Sequence, residues 1–202
     1  MNQGQIRIAV FISGGGTNLQ ALIDASTSGK LSAEITLVVS SNANAFGLTR
    51  AENAEIPTFI FREKKYESKS EASQDLLEKL KEHNIDFIAL AGYLRLLSPQ
   101  LISAYNGKII NMHPALLPKY GGQGMYGRHV HEAVLASGDK ETGLTFHIVD
   151  EAYDHGRIVE QFHLPVLEND TPESLQERVL IKEHEEYPKI LGKFIRGEYD
   201  NN

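Results

Sequence analysis

The feature that most constrains this chain is a repeated alternation between short apolar runs and segments with helical periodicity. The first run, residues 6–12, is apolar apart from Arg7, which is typical of a parallel strand buried on both faces. A glycine-rich turn at residues 14–17 ends this run before a helical pattern begins. The alternation predicts a doubly wound, mostly parallel Rossmann-like α/β sheet with helices on both faces.

The rhythm changes near the end of the chain. Residues 142–149 and 157–166 are β-type runs with no room for a helix between them, so we expect an antiparallel extension and about seven strands in all. Thr171 before Pro172 and Glu173 predicts the start of a last helix, which runs to about Gly197. The other predicted strands are 6–12, 35–39, 57–61, 87–91 and 108–112. The other predicted helices are 18–26, 45–54, 68–83, 99–105 and 129–137.

Length, charge and cysteine content limit the class of protein. The 202 residues are enough for a sizeable core, and we predict a single domain over residues 1–202. The net charge of −7 argues against a nucleic-acid partner, because phosphate backbones need clustered Lys and Arg. No apolar run approaches the roughly 18 residues of a membrane span, the start does not have the pattern of a signal peptide, and cysteine is absent. We therefore predict a cytoplasmic protein without membrane association.

The glycine turn, Ser13 to Asn18, follows the first predicted strand and opens the first predicted helix. Free N–H groups at a helix start attract a phosphate, and glycine lets the backbone approach it. A Walker loop is excluded because no Lys–Ser/Thr pair follows. A dinucleotide-binding fingerprint is not matched either. It needs a third glycine, where this chain has Leu19, and an acidic residue at the end of the second strand, where this chain has Ser40-Ser41-Asn42. The turn favours a monophosphate over NAD, and a tight turn that simply needs glycine is the alternative.

A polar pair stands at the end of the predicted fifth strand. Asn111 and His113 are two residues apart, so they point to the same side of a strand, and Pro114 follows directly. Ligands of open α/β sheets sit off the carboxyl ends of the strands. An amide and an imidazole there can hold a carbonyl oxygen as it becomes an oxyanion. The alternative is a polar pair that only satisfies the loop.

An acidic cluster lies in the loop between the last two predicted strands. Asp150, Glu151 and Asp154 are candidates to raise the pKa of a nearby histidine and to relay a proton. Without other evidence, a hairpin with solvated acids is the preferred interpretation. Thr145 and His147 share one face of the preceding strand and could line the same site. The histidines lack helical His-x-x-x-His spacing with a suitable Glu, so we predict no catalytic metal.

Five segments, in this order, match the pattern of a known family. They are residues 12–20, 90–99, 111–118, 143–156, and the pairs Glu183-His184 and Tyr187-Pro188. Over nearly its whole length the chain resembles the folate-dependent phosphoribosylglycinamide formyltransferases of purine synthesis. The resemblance implies transfer of a formyl group from the cosubstrate 10-formyltetrahydrofolate to the amine of glycinamide ribonucleotide, without a metal.

The resemblance also implies roles for individual residues. The reacting groups would be Asn111, His113 and Asp154, with Asp154 keeping His113 protonated so that the ring and Asn111 stabilise the oxyanion. The nucleotide substrate would be held at its ribose phosphate by the glycine turn and at its amine end by Glu183. The residues implied for this substrate are Gly15, Gly16, Thr17, Asn18 and Glu183. The residues implied for the folate are Lys69, Leu94, Arg95, Leu96, Leu97, Asn111, Val149, Asp150, Glu151 and Asp154.

The chain departs from the family pattern at two places, and other activities of similar proteins are alternatives. Leu180 stands where many relatives carry a polar or basic residue near the phosphate, with Lys182 close by, and residues 121–127 are unusually rich in glycine. The nearest rival is a formyltetrahydrofolate hydrolase, which usually carries an extra N-terminal domain; a methionyl-tRNA formyltransferase carries a basic C-terminal domain. We expect neither extra domain here. A non-catalytic phosphate-binding module is the rival of a different class. The expected partners are small molecules, and the expected state is a monomer or homodimer.

Overall fold

A computed structural model describes residues 5–200 of the chain. The strands in this range are β1 (Arg7–Ile12), β2 (Glu34–Ser40), β3 (Thr58–Ile60), β4 (Phe87–Leu90), β5 (Ile109–His113), β6 (Glu141–Ile148) and β7 (Ile158–Pro165). The helices are α1 (Thr17–Thr27), α2 (Phe46–Asn53), α3 (Lys69–Glu82), α4 (Pro99–Ala104), α5 (Arg128–Ser137) and α6 (Pro172–Ile195), and a 3-10 turn lies at Glu63–Lys65. Each predicted strand and helix is present, and its ends lie within two residues of the prediction.

The strands of the described chain form one seven-stranded sheet in the order β3-β2-β1-β4-β5-β6-β7. Pairing is parallel from β3 to β5 and antiparallel from β5 through β6 to β7. The predicted fold class is therefore confirmed, including its antiparallel extension. Parallel neighbours need a crossover helix, whereas residues 149–157 form only a loop, which returns the chain as a hairpin.

Strand β1 shows why helices cover both faces of the sheet. Ile8, Val10 and Ile12 pack into a core cluster shared with α1 and α6, while Ala9 and Phe11 pack into a second cluster shared with α3 and α4. Successive side chains of a strand point to opposite faces. An uninterrupted apolar run therefore requires an apolar partner layer on each side.

The long helix α6 begins as predicted. The Thr171 side chain accepts a hydrogen bond from the Ser174 N–H, and the Ser174 side chain accepts one from the Thr171 N–H, which forms a capping box. The Tyr187 hydroxyl in the middle of the helix is buried and donates to the Leu90 carbonyl at the end of β4, at 2.8 Å. The buried face of α6 thus reaches the same sheet edge at which β4 ends.

The carboxyl ends of the parallel strands position the candidate site. His113 is the last residue of β5 and pairs with Thr145, and Asn111 pairs with His147. The predicted end of this strand at Met112 is one residue short, because pairing with β6 continues the ladder to His113. Among the described residues, no helix is both long and apolar enough to cross a membrane.

Candidate active site

The glycine turn is built on close backbone packing. Gly16 has φ 69° and begins α1 without a side-chain cap. A Cβ on Gly16 would lie 2.6 Å from the Cα of Gly47 in α2, so the two elements meet through glycines. The first backbone bond of the helix runs from the Gln20 N–H to the Gly16 carbonyl, which leaves the preceding N–H groups of α1 directed out of the helix end.

Arg50 of α2 packs beside this turn, and sequence reasoning missed it. Its Nε donates to the Gly15 carbonyl at 2.9 Å, a second guanidinium nitrogen donates to the Gln20 side chain at 3.2 Å, and the guanidinium lies over the Phe46 ring. The Arg50 charge also helps to lower the pKa of His184, after burial. A positive charge therefore lies at the mouth of the turn on a chain with net charge −7.

Lys182, by contrast, is engaged along its own helix. Its ammonium donates to Glu186 at 2.9 Å and to Glu185 at 3.1 Å, and it lies over the Phe162 ring. Leu180 offers no polar atom on its side chain. The positive charge beside the turn therefore comes from Arg50 of α2, whereas Lys182 of α6 is paired within its own helix.

Asn18 and Glu183 form a buried pair behind the turn. The Asn18 amide donates to Glu183 Oε2 at 2.6 Å, and the Glu183 side chain is only 6% exposed. Burial raises the pKa of Glu183 to about 7, although the Asn18 hydrogen bond opposes this rise. The structure thus joins two of the predicted nucleotide-binding residues, and it directs the Asn18 side chain inward, away from the helix start.

The three predicted reacting groups converge at the end of β5. Asn111 Nδ2 donates to Asp154 Oδ1 at 3.3 Å, and His113 Nδ1 lies 3.4 Å from Asp154 Oδ2. His147 completes the group, because its Nε2 lies 3.0 Å from Asn111 Nδ2 and 3.6 Å from Asp154 Oδ1. Thr145 is expected to line the same site as His147. It points into the loop after β5 instead, and its hydroxyl donates to the Ala115 carbonyl.

His147 fixes the orientation of the Asn111 amide. His147 Nδ1 lies 3.2 Å from the Ile148 carbonyl, which can only accept, so the proton sits on Nδ1 and Nε2 is an acceptor. The Asn111 NH₂ group therefore faces two acceptors, His147 Nε2 and Asp154 Oδ1. A flipped amide would place its oxygen against the carboxylate.

The environment of His113 differs from the expectation that Asp154 keeps this ring protonated. Burial lowers the pKa of His113, and the charge of Asp154 and the Tyr120 carbonyl only partly offset that effect. His147 lowers it further. The balance lies below the ordinary value, so burial outweighs the charge of Asp154 in this arrangement, and a protonated His113 during the reaction stays a prediction.

Asp154 is held as a carboxylate by its donors. Burial raises its pKa, but the His147 and His113 rings, in the forms that carry a proton toward Asp154, and the Gly122 N–H together lower it below the ordinary value. The Gly122 N–H donates to Asp154 Oδ2 at 3.0 Å. Asp154 itself has φ 54°, an unusual conformation for a residue other than glycine and one that clusters at functional sites.

The segment predicted to line the folate pocket divides in two. Leu94 and Leu96 are exposed apolar side chains, whereas Leu97 is buried in the core cluster on which Val149 packs. The Leu94 N–H donates to the Ser13 hydroxyl at 2.9 Å, which ties this segment to the glycine turn. Leu94 and Leu96 thus form an exposed apolar surface, whereas Leu97 and Val149 belong to the core.

The predicted charged and acidic folate residues lie around Tyr93 and on the loop after β6. Burial raises the pKa of Tyr93. The charge of Arg95 opposes this rise, and Glu63 and Tyr153 add to it. Arg95, Glu63 and Tyr153 therefore lie within electrostatic reach of the Tyr93 hydroxyl. Lys69 is 89% exposed and lies 3.8 Å from Glu63.

Asp150 is tied within its own loop. It accepts hydrogen bonds from the Ala152 N–H at 2.9 Å and from His155 Nδ1 at 2.8 Å, while Glu151 is exposed. Of the three acids in this loop, only Asp154 contacts Asn111, His113 and His147 in the structure.

No group of three or more histidine and acidic side chains among residues 5–200 is arranged to hold a metal ion. A surface groove of about 450 Å³ lies at the opposite end of the sheet, among Arg7, Glu34 and Thr36 at the amino ends of β1 and β2. This groove is separate from the convergence at β5.

Comparison with known proteins identifies similar chains. A family model described as formyl transferase matches residues 6–191. The chain is 44% identical over 185 residues to "Phosphoribosylglycinamide formyltransferase, chloroplastic" of Vigna unguiculata, with 92% of this chain and 59% of that protein covered. It is 40% identical over 191 residues to "Phosphoribosylglycinamide formyltransferase" of Haemophilus influenzae, with 95% of this chain and 88% of that protein covered. The chain thus spans less than two thirds of the plant relative and most of the bacterial one.

Solved structures agree with the curated relatives. A phosphoribosylglycinamide formyltransferase from Bacillus halodurans superposes with a TM-score of 0.88 at 37% identity, covering 96% of this chain and 98% of that one. The corresponding protein from Brucella melitensis gives a TM-score of 0.85 at 44% identity, covering 94% and 95%. The similarity therefore extends over the complete sheet and its helices.

Proposed function

Because this chain belongs to the formyl transferase family, we propose that it transfers the formyl group of 10-formyltetrahydrofolate to the amine of 5'-phosphoribosylglycinamide in purine synthesis. The observation that carries the proposal is the contact of Asp154 with Asn111 and with His113 at the carboxyl end of β5. The names of the relatives support the choice of substrates. The convergence supports chemistry in addition to binding, since a pure phosphate-binding module needs no such group.

The nucleotide substrate binds in two places under this proposal. Its phosphate lies at the start of α1, where the N–H groups around Gly15, Gly16 and Thr17 and the nearby charge of Arg50 favour an anion. Asn18 contributes its backbone there. Its side chain holds Glu183, which receives the amine end of the substrate. A carboxyl group with a pKa of about 7 suits this role, because it can take up the proton that an ammonium group must lose before attack.

The folate binds on the adjoining surface. Leu94 and Leu96 contact the pterin ring system, while Arg95 and Lys69 serve its anionic glutamate side. Residues 149–151 and Asp154 form the other wall. Under this proposal the formyl carbon lies between the amine and Asp154, as the reaction requires.

The proton moves in one direction during transfer. The amine nitrogen bonds to the formyl carbon, the bond from that carbon to the folate nitrogen breaks, and one proton passes from the amine to the departing nitrogen. Asp154, ionised at neutral pH, accepts this proton through water and shares it with His113 Nδ1. The imidazolium formed in this way, and an Asn111 N–H turned toward the formyl oxygen, stabilise the oxyanion. Each such donor is worth about 3–4 kcal/mol of barrier.

One assay decides between transfer and its rivals. 10-Formyltetrahydrofolate is incubated with the protein, with and without glycinamide ribonucleotide, and release of tetrahydrofolate is followed. Release only when the amine is present supports transfer. Equal release without it indicates a hydrolase, and no release in either case indicates a binding module. The predicted cytoplasmic location and the monomeric or homodimeric state stay predictions.

Removal of either reacting group provides the matching prediction. His113→Ala and Asp154→Asn should each lower kcat by about 10²–10⁴-fold, the range that a positioned proton-transfer group contributes. Circular dichroism and thermal unfolding should show that both variants keep the fold. His163→Ala is the control, because this histidine on β7 is 59% exposed and pairs with Glu141 at the surface. Near-normal turnover of either variant would contradict the assignment.

A further inference from the structure

The chain between β5 and α5 touches both members of the His113–Asp154 pair. His113 Nε2 lies 2.8 Å from the Tyr120 carbonyl, which can only accept, so Nε2 carries the proton and Nδ1 is left facing Asp154. Two residues later, the Gly122 N–H donates to Asp154 Oδ2 at 3.0 Å. The segment 120–122, called the strap below, therefore fixes the ring on one side and the carboxylate on the other.

The strap has little freedom where it crosses Asp154. A Cβ on Gly121 would lie 2.6 Å from a Leu117 methyl group and 3.2 Å from the Asp154 Cβ, so the backbone packs directly on these side chains. Tyr120 has φ 56°, in the left-handed region. For a residue other than glycine this conformation is strained, and contacts elsewhere must hold it.

The contact that holds it is at the far end of the Tyr120 side chain. The phenol donates to Asp139 Oδ2 at 2.7 Å and lies 2.5 Å from the Ser137 hydroxyl at the end of α5. Lys119 also donates to Asp139 Oδ2, at 2.9 Å. The hydrogen bonds from Lys119 and then Tyr120 lower the pKa of Asp139, so the acceptor is an anion at neutral pH. Nothing in the proposed chemistry uses this cluster.

We propose that Tyr120 is a positioning residue, whose phenol, anchored on Asp139, holds its own carbonyl on His113 and the Gly122 N–H on Asp154. This inference rests on the proposed function, since it concerns the same reacting pair. Without the anchor, Tyr120 relaxes toward an ordinary φ, its carbonyl turns away from His113, and the ring loses its fixed direction. Misplacement of a reacting group by about 1 Å can cost about 10²-fold in rate.

The strap also has an electrostatic consequence that a purely structural contact lacks. The groups that face His113 are Asp154, His147, the Tyr120 carbonyl and, from α5, His131. The Tyr120 carbonyl and Asp154 raise the pKa of His113, against burial and His147, which lower it. Loss of the carbonyl contact therefore lowers this pKa further. The acid limb of the kcat/KM profile should shift to lower pH.

The test compares Tyr120→Phe, Asp139→Ala and Asp139→Asn with the unmodified protein. We expect Tyr120→Phe and Asp139→Ala to lower kcat about tenfold or more, with KM changed by less than about twofold. Both should also shift the acid limb to lower pH. Asp139→Asn should restore most of the activity, because its amide oxygen still accepts the phenol proton. Lys119→Gln is the matched control, since it removes the other partner of Asp139, and it should behave like the unmodified protein.

The pKa of His113 is followed in parallel by NMR titration of the histidine rings without substrate. Wild-type kcat, pH profile and ring titration in Tyr120→Phe would overturn the proposal. An equal loss in Lys119→Gln would also overturn it, because the effect would then belong to the surface cluster as a whole. If the unmodified protein transfers no formyl group, the proposed function fails, but the titration still decides whether the strap controls His113.

Discussion

At the scale of single residues, the buried Glu183–Asn18 pair has the clearest energetic signature. Asn18 supplies a hydrogen bond to a carboxyl group that is almost entirely removed from water. One neutral amide compensates only part of the solvation that an ionised carboxylate loses on burial. The pKa of Glu183 therefore rises to about 7, and its charge becomes a cost to folding as the pH increases.

This cost predicts a pH-dependent stability. Because the folded-state pKa is raised from 4.5 to about 7, the contribution of neutral Glu183 is complete below about pH 4.5 and is lost as the pH rises through about 7. Glu183→Gln keeps an acceptor for Asn18 and cannot ionise. Its free energy of unfolding should match that of the unmodified protein near pH 4.5 and exceed it by up to about 3 kcal/mol at pH 8.

Urea unfolding at the two pH values measures this difference. Glu177→Gln, at an exposed position on the same helix, is the control and should leave the pH dependence unchanged. A constant difference between Glu183→Gln and the unmodified protein at both pH values would contradict the prediction. The same variant should weaken binding of the amine substrate, because the amide cannot take up a proton.

At the scale of elements, strand β6 supports the site through one hydroxyl. Thr145 donates to the Ala115 carbonyl at 2.6 Å and accepts from the Leu117 N–H at 3.0 Å and from the Gln161 side chain at 2.8 Å. These bonds fix the loop that leaves His113. The strand therefore supports the site at two residues. Thr145 holds the loop after His113, and His147 contacts the Asn111 side chain among the reacting groups.

A matched pair of substitutions on this strand separates the hydroxyl from the packing. Thr145→Val should lower the free energy of unfolding by about 2–3 kcal/mol, because it leaves buried polar partners unsatisfied. Thr142 is also buried on β6, but its hydroxyl has no hydrogen-bond partner among residues 5–200. Thr142→Val should therefore be neutral or stabilising. Equal changes in the free energy of unfolding for the two substitutions, measured by chemical denaturation, would show that the hydrogen bonds of Thr145 to the loop do not stabilise the fold.

At the scale of the whole molecule, the two core clusters share one sheet. Residues 8–12 of β1 alternate between the two clusters, so this strand joins the layer of α1 and α6 to the layer of α3 and α4. Loss of one layer exposes the sheet face beneath it. We therefore expect the two layers to unfold together, in accord with the predicted single domain.

Truncation in each layer tests this cooperativity. Leu76→Ala in α3 and Ile190→Ala in α6 remove buried side chains from opposite faces, and each should lower the global free energy of unfolding by about 2–5 kcal/mol. Tyrosine fluorescence and far-UV circular dichroism should report a single coincident transition for both variants. Separate transitions in either variant would show that the layers are independent units.

Local sequence determined much of this protein. Apolar runs, turn glycines and the Thr171 cap act within a few residues of themselves, so they predicted the elements, their order and the antiparallel hairpin. They also placed Asn111 and His113 at the end of a strand, since strand periodicity alone directs both to one side. The resemblance singled out Asp154, and the contacts then set it apart from Asp150 and Glu151.

Only the tertiary structure decided the charge states and the supporting contacts. The pKa values of His113 and Glu183 depend on burial by distant elements, and the roles of Arg50, His147 and Tyr120 depend on partners brought together from other helices and strands. No local pattern encodes how many layers cover a side chain or which carbonyl meets a ring nitrogen. Solvation and electrostatic effects sum over neighbours in space, and these neighbours are fixed only when the chain has folded.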